Sequence, residues 1–298
     1  MNIIYYTSID FSKKNGQARY CYHVFSSLLN QKKLSVHLIS PKIKDKIALA
    51  NLKKQYNFIS SLVQTEQKRR NKFWFIIYQI VSLFYLVKAG KKDALIFSLK
   101  PYSIAPLIYA KLFKVPIFLL VEGRVDLNIN TLFKNKIQKQ ICYKLVKTLL
   151  REAEFIYPAY ENAKNWVNET LNSNNKSKII TCCADTSIFK PTSKNIQKPK
   201  QFTIGYVGSF REDHLLKKLI SATKDIDMVI KLVGSGSQEK EIKNQTKALT
   251  NSEVTVIFMG EKEQFELPDF FAECHIMWGV SDPTHWSVPI KCFEYLAC

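Results

Sequence analysis

The chain ends in SVPIKCFEYLAC (residues 287–298), which carries the pattern of a helix start. Pro289 suits the first turn, because its missing N–H would find no partner there. Lys291 and Glu294 are three positions apart and therefore share one helical face, while Phe293, Leu296 and Ala297 would supply apolar contact. A carboxylate in this place can accept two sugar hydroxyls at once, so Glu294 is a candidate for binding a ribose.

The rest of the chain has the composition of an ordinary folded protein. Its 298 residues predict two domains, and 46% hydrophobic residues are enough to build a core in each. With 44 Lys and Arg against 25 Asp and Glu, the net charge of +19 favours an anionic partner, such as a membrane face or a phosphorylated substrate, or a plain solvated basic surface. We find no nucleic-acid recognition motif and predict no nucleic-acid partner.

The seven cysteines indicate free thiols, since their number is odd and no CxxC pair occurs. Cys274-His275 has no further partner at metal-ligand spacing, so we predict no metal site. The first residues show no basic segment or cleavage site typical of a signal peptide, and we expect a cytoplasmic protein.

Short β-branched runs alternate with amphipathic segments along the chain, which predicts an α/β fold with parallel sheets. The segment KPTSKNIQKPKQ (residues 190–201) interrupts the alternation, because it is rich in lysine and nearly free of apolar residues. We therefore predict an N-terminal domain over 1–191, a linker over 192–201 and a C-terminal domain over 202–298. Ligands of such sheets bind beyond the carboxyl ends of the strands.

One segment, Phe73–Val87, is almost wholly apolar and has basic residues on both sides. As a helix it would reach about 22 Å, which is short of a membrane core of roughly 30 Å. Two interpretations stay open: a buried helix of the first domain, or a helix lying in a membrane interface. A strand over Lys178–Cys183 is also expected.

In the predicted C-terminal domain, each of three strands is followed by a glycine. Gly208 follows the strand 202–207, Gly234 the strand 228–233 and Gly260 the strand 254–259, and such residues permit tight turns close to a ligand.

Arg211 and His214 follow Gly208 and precede a predicted helix, where a phosphate could bind or where both could simply be exposed. In the first domain, Gly16 opens a helix and could approach a phosphate or form a plain turn. Glu122 and Arg124 follow the buried run 115–121 and could contact a sugar or form a surface ion pair.

These motifs together resemble glycosyltransferases of the GT-B fold, two Rossmann-like domains facing a cleft, and are most similar to family 4. That family is retaining and uses nucleotide sugars. The resemblance rests on the following stretches: NGQARY (15–20), DTSIFKP (185–191), IGYVGSFR (204–211) with His214, LVGSG (232–236), FMG (258–260) and PIKCFEYLAC (289–298).

The resemblance implies a role for each matching residue. Glu294 would bind the donor ribose with Lys291 beside it, and Arg211 and His214 would approach the donor diphosphate. Gly208, Gly234 and Gly260 would line the donor site. On the other domain, Gly16 would lie near the phosphate and Glu122 near the donor sugar.

Two features depart from the family pattern. Trp286 stands where relatives carry a glutamate eight positions before Glu294, so the ribose contact would be single. The family continues beyond the equivalent of Cys298, so we expect either an unusual terminus or a truncated chain with an incomplete second domain.

The implied activity is sugar transfer from a UDP- or GDP-sugar to an acceptor hydroxyl with retention, in cell-surface polysaccharide or glycolipid biosynthesis. No cofactor or metal is implied. The acceptor would be lipid-linked or a glycan, and the enzyme would lie in the cytoplasm, peripheral on an anionic membrane face. The alternatives are an inactive remnant or nucleotide-binding module, and an epimerase or phosphorylase of the same fold.

Overall fold

The computed structural model describes residues 1–9, 16–41, 53, 58–63, 72–181, 183–248, 253–280 and 288–298. It divides into two compact units, Met1–Thr181 and Cys182–Cys298. Each unit has its own parallel sheet with helices and its own buried apolar clusters. The predicted α/β class with two Rossmann-like domains is therefore confirmed.

The first unit is built on a six-stranded sheet in the order β3-β2-β1-β4-β5-β6, with every neighbouring pair parallel. The central strands are buried on both faces, as expected for a parallel sheet between helices. The strands are β1 (Asn2–Tyr6), β2 (Ser35–Pro41), β3 (Ile59–Val63), β4 (Ala94–Ser98), β5 (Ile117–Val121) and β6 (Phe155–Pro158).

The helices of this unit connect the strands through the crossovers that parallel neighbours require. They are α1 (Gly16–Leu29), α2 (Lys72–Lys88), α3 (Ile104–Phe113), α4 (Val125–Leu132), α5 (Lys136–Glu152) and α6 (Glu161–Leu171). The main core cluster lies between β1, β4 and β5 and the helices α2, α3, α5 and α6.

The second unit has a four-stranded parallel sheet in the order β10-β7-β8-β9. Its strands are β7 (Thr203–Val207), β8 (Met228–Val233), β9 (Val254–Gly260) and β10 (Ile276–Met277). Its helices are α7 (Leu216–Ala222), α8 (Glu239–Ala248), α9 (Leu267–Ala272) and α10 (Ile290–Leu296), with 3₁₀ turns at Glu212–His214 and Gln264–Glu266.

The secondary structure differs from the sequence analysis at three places. Strand β3 and helix α4 were not predicted, because β3 has Ser60 and Ser61 at its centre and α4 is short. The strand expected over Lys178–Cys183 is wrong in its described residues. That segment only runs beside β6, where Ile180 N–H donates to the carbonyl of Pro158 (3.0 Å).

The segment expected to be a linker lies within the second unit. The Thr192 hydroxyl donates to Asp269 Oδ1 (2.6 Å), and Lys194 Nζ lies 2.5 Å from Asp269 Oδ2. These bonds tie the segment to α9, and they hold the pKa of Asp269 below its usual range.

The long apolar segment forms α2, which packs one face into the core of the first unit, as a buried helix of that domain would, and leaves its other face exposed. Phe84 on its outer face is 63% exposed, and Ile80 beside it is exposed as well. Among the helices of the described residues, none is both long and apolar enough to cross a membrane.

Candidate functional site

Helix α10 is fixed beside the carboxyl end of β7 by Tyr295. The Tyr295 hydroxyl accepts from the N–H of Val207 (3.1 Å) and lies 3.4 Å from its carbonyl oxygen. Its ring packs edge-on against Phe271 of α9, with the ring centroids 5.0 Å apart. Burial raises the pKa of Tyr295, so this hydroxyl stays protonated.

The face that α10 turns toward the sheet is its charged one. Lys291 is 8% and Glu294 1% exposed, whereas Leu296 is 86% exposed. The expectation of apolar packing is therefore wrong for Leu296, whereas Ala297 does pack against an apolar cluster. Burying an ammonium and a carboxylate on a seven-residue helix costs stability, so their placement indicates a purpose other than folding.

Tyr206, which the sequence did not single out, positions the Lys291 ammonium. Lys291 Nζ lies 4.2 Å from the centroid of the Tyr206 ring, a cation–π contact. A Cβ built at Gly208 would lie 3.7 Å from the same nitrogen, so the ammonium faces the turn that follows β7. The signal that could have found Tyr206 is its position two residues before the glycine turn.

His214 lies on another side of the same tyrosine. Its Nδ1 is 2.7 Å from the Tyr206 hydroxyl and 2.6 Å from the carbonyl oxygen of Ser209. Because a carbonyl can only accept, the contact with Ser209 requires a proton on Nδ1. Trp278 Nε1 donates to the His214 carbonyl (3.1 Å) and fixes this turn, while Arg211 before it is exposed.

The three predicted turn glycines lie at the carboxyl ends of β7, β8 and β9. All three have positive φ, at 144° for Gly208, 125° for Gly234 and 68° for Gly260. The Gly234 N–H donates to the Gly260 carbonyl (2.7 Å), and the Gly208 N–H donates to that of Val233 (3.0 Å). These N–H groups are thus engaged within the protein, and the glycines allow neighbouring turns to pack together.

The turns pack so closely that no side chain would fit at Gly234 or Gly236. A Cβ at Gly234 would overlap the carbonyl oxygen of Gly208, and one at Gly236 would overlap the backbone of Phe210. Phe210 is tied further, since its N–H donates to the Ser235 carbonyl (2.8 Å) and its carbonyl accepts from the Gln238 N–H (2.9 Å). The turns therefore form one rigid support beneath Lys291.

In the first unit, Glu122 lies just beyond β5 and forms an ion pair with Lys100, just beyond β4. Lys100 Nζ is 3.1 Å from Glu122 Oε2, and both side chains are mostly buried. Burial alone would lower the pKa of Lys100, but the charge and hydrogen bond of Glu122, together with Cys21 and Tyr102, outweigh it and the pKa is raised. The sequence did not single out Lys100, although it stands at a strand's carboxyl end.

The Cys21 thiol of α1 lies beside this pair, with Sγ 3.7 Å from Glu122 Oε1. Burial raises the pKa of Cys21 to about 12, so it is a thiol and not a thiolate at neutral pH. Arg124 does not join the pair, because it binds Asp126 through two hydrogen bonds (2.6 and 2.8 Å).

The predicted residues thus fall into two groups. Gly208, Gly234, Gly260, His214 and Lys291 come together at one edge of the second sheet, with Glu294 on the same face of α10 as Lys291. Gly16, the first residue of α1, and Glu122 belong to the first unit.

Two further points of the sequence analysis concern Trp286 and metal binding. Trp286 lies outside the described residues. In the part of the chain that the structure describes, no group of three or more His, Cys, Asp or Glu side chains could hold a metal ion.

The fold is shared with solved enzymes of low sequence identity. Sucrose-phosphate synthase from Thermosynechococcus elongatus matches 100% of this chain and 79% of its own, with a TM-score of 0.73 and 12% identity. Anabaena HepE in complex with UDP and glucose matches 93% and 73%, with a TM-score of 0.68 and 14% identity. The galactosyltransferase WaaB of the lipopolysaccharide outer core matches 99% and 78%, with a TM-score of 0.63 and 12% identity.

These neighbours show that the chain has the GT-B fold. Residues 189–298, which lie in the second unit, match the family described as glycosyl transferases group 1. Among curated proteins, no sequence matches the chain.

Proposed function

We propose that this protein is a retaining glycosyltransferase, similar to family 4, that uses a nucleoside diphosphate sugar. The observation that carries the proposal is the buried charged face of α10, where Lys291 and Glu294 lie beside the glycine turns of the group 1 domain. A cation and a carboxylate at the carboxyl edge of a parallel sheet suit a diphosphate and a ribose.

In the proposed reaction, the bond between the sugar's anomeric carbon and the diphosphate oxygen breaks. A bond from the acceptor oxygen forms on the same face of the sugar, and the acceptor hydroxyl passes its proton to the departing diphosphate oxygen. The Lys291 ammonium, held over Tyr206, would stabilise the charge that develops on the diphosphate. The exposed Arg211 would add donors to the same group, as would His214 in its imidazolium form, and Glu294 would accept from the ribose hydroxyls.

Glu122 and Gly16 are proposed to act on the sugar side of the donor, with Glu122 held in place by Lys100. We propose UDP as the nucleotide before GDP, because HepE, a structural neighbour, is solved with UDP and with UDP-glucose. No metal or other cofactor is proposed.

The proposed acceptor is lipid-linked or a glycan, in cell-surface polysaccharide or glycolipid biosynthesis. The net charge of +19 supports a location on the anionic inner face of the cell membrane. Nucleic acid is not proposed as a partner.

The proposal is tested by titrating UDP into the wild type and into Glu294→Gln, with heat of binding as the readout. We expect about tenfold weaker binding in the variant, since an amide accepts fewer hydroxyl hydrogen bonds than a carboxylate. The control is Glu241→Gln on α8, which removes an exposed carboxylate paired with Lys217. Equal UDP affinity in all three proteins would overturn the ribose assignment.

A second candidate is an epimerase, because the UDP-GlcNAc 2-epimerase from Neisseria meningitidis shares the fold at a TM-score of 0.57 and 12% identity. An epimerase would convert UDP-GlcNAc without any acceptor, which NMR of the sugar detects. A chain that binds UDP but neither transfers nor converts the sugar would instead be a nucleotide-binding module.

A further inference from the structure

Helix α2 carries its buried uncharged polar side chains on the face toward the sheet. Gln79 and Ser82 are buried on the face toward the sheet, as is Tyr78. Gln79 Oε1 accepts from the Ala105 N–H (2.9 Å), and the Tyr78 hydroxyl donates to the carbonyl of Thr7 (3.0 Å). These bonds fix which face of α2 points inward.

The outward face of α2 is therefore apolar. Its exposed residues recur at spacings of three and four, which places them along one stripe of the helix. They are Ile76, Ile77, Ile80, Phe84 and Val87. A helix on the surface of a protein normally shows the opposite arrangement, with polar residues outward.

Helix α3 packs against α2 and continues this stripe. Its exposed apolar residues, Ile104, Ile108 and Leu112, lie one turn apart, and Leu112 is 63% exposed. We call these eight side chains of α2 and α3 the apolar outer surface. A connected group of this size marks a place of contact with another molecule.

Basic side chains border the apolar outer surface where the two helices end. Lys88 and Lys91 lie at the end of α2, and Lys111 and Lys114 at the end of α3, all four exposed. Neither helix contains an Asp or Glu. The nearby Glu152 forms an exposed pair with Lys111 (3.1 Å).

We propose that the apolar outer surface docks on an anionic lipid bilayer, with its side chains at the boundary of headgroups and acyl chains. The apolar stripe supplies the insertion, and the lysines at its border attract negative headgroups. A second copy with its two-fold axis along the helices fits less well, because that pair would bring the lysine borders of both copies together. This assignment rests on the proposed membrane location and names the surface that would contact the membrane. It does not depend on sugar transfer.

The test is co-sedimentation of the full chain with two kinds of vesicle, one of phosphatidylcholine and one of equal parts phosphatidylcholine and phosphatidylglycerol. We expect binding to the anionic vesicles that weakens as salt rises. The double variant Ile80→Gln/Phe84→Gln should bind about tenfold or more weakly, through lost apolar insertion. Lys88→Glu/Lys91→Glu should lose at least about fivefold per lysine on anionic vesicles alone.

The matched control is Phe265→Gln, which removes a 75% exposed aromatic side chain from the second unit and should leave vesicle binding unchanged. Circular dichroism checks that each variant is folded. Absence of wild-type binding, or equal binding by Ile80→Gln/Phe84→Gln, would overturn the proposal. So would a wild-type dimer that this double variant makes monomeric without changing vesicle binding.

UDP titration of the same variants keeps the two proposals apart. Normal UDP affinity with lost vesicle binding is the expected result for the double variant at α2. If the wild type binds vesicles but not UDP, the proposed membrane-docking surface is supported and the proposed UDP donor is contradicted.

Discussion

At the scale of single residues, Tyr206 organises the candidate site. Its ring lies under the Lys291 ammonium, and its hydroxyl lies 2.7 Å from both His214 Nδ1 and the Ser209 carbonyl oxygen. One side chain thus sets the position of two proposed diphosphate contacts. The ring and the hydroxyl do this separately, so substitutions can separate their effects.

We predict different outcomes for two substitutions at this position, measured by UDP titration and by urea unfolding. Tyr206→Phe should lose about 1 kcal/mol of unfolding free energy with the hydroxyl's hydrogen bonds. Its UDP affinity should stay within about twofold, because the ring under Lys291 remains. Tyr206→Leu should weaken UDP binding about tenfold. Equal losses of affinity in both variants would contradict the role of the ring.

At the scale of elements, the ion pair of Lys100 and Glu122 joins the ends of β4 and β5. Both side chains are mostly buried, at a separation of 3.1 Å. The pair of Lys111 and Glu152 has the same separation, but both of its side chains are about half exposed. The two ion pairs have the same N–O distance and differ in burial, so comparing them tests how burial changes the contribution of an ion pair to stability.

Removing the cation from the buried pair should destabilise the first unit. We expect Lys100→Met to cost about 2 kcal/mol, because Glu122 is left as a largely buried charge. Lys111→Met should cost less than about 0.5 kcal/mol, since exposed pairs contribute little. Adding Glu122→Gln to Lys100→Met should recover at least part of the loss in urea unfolding. A larger loss in the double variant would argue against an uncompensated charge.

Some of the helices and strands could be predicted from the sequence, and others could not. The spacing of apolar residues located α2 and α10, because periodicity follows directly from helix geometry. It wrongly placed Leu296 of α10 in an apolar contact, and it assigned no inward face to α2. Which face is buried depends on neighbours far along the chain, such as Val207 beside Tyr295 and Ala105 beside Gln79. Short elements such as β3 were missed because burial between neighbours stabilises them more than their own residues do.

The candidate site was predictable in part. The sequence analysis identified Glu122 and the three turn glycines, because each follows a predicted strand and ligands bind beyond the carboxyl ends of parallel strands. Tyr206 and Lys100 were missed, since each acts through a contact with a residue more than twenty positions away.

At the scale of the whole molecule, each of the two units has its own buried apolar clusters. We predict two transitions in calorimetry. UDP at about one hundred times its dissociation constant should add about 2.7 kcal/mol to the unfolding free energy of the second unit only. Leu119→Ala in β5, where the side chain is fully buried, should lower the other transition through a loss of about 2–5 kcal/mol. A single transition moved by both changes would contradict this division.

The interlocked turns at Gly208, Gly234 and Gly260 have a further consequence. Since the N–H groups of Gly208 and Gly234 are already bonded to Val233 and Gly260, this support is formed before any ligand arrives. A ligand bound above it need not order these turns, so little conformational entropy is lost there on binding. Replacing Gly234 would displace the backbone at Gly208, so new donor preferences would arise more easily through exposed side chains near these turns, such as Arg211.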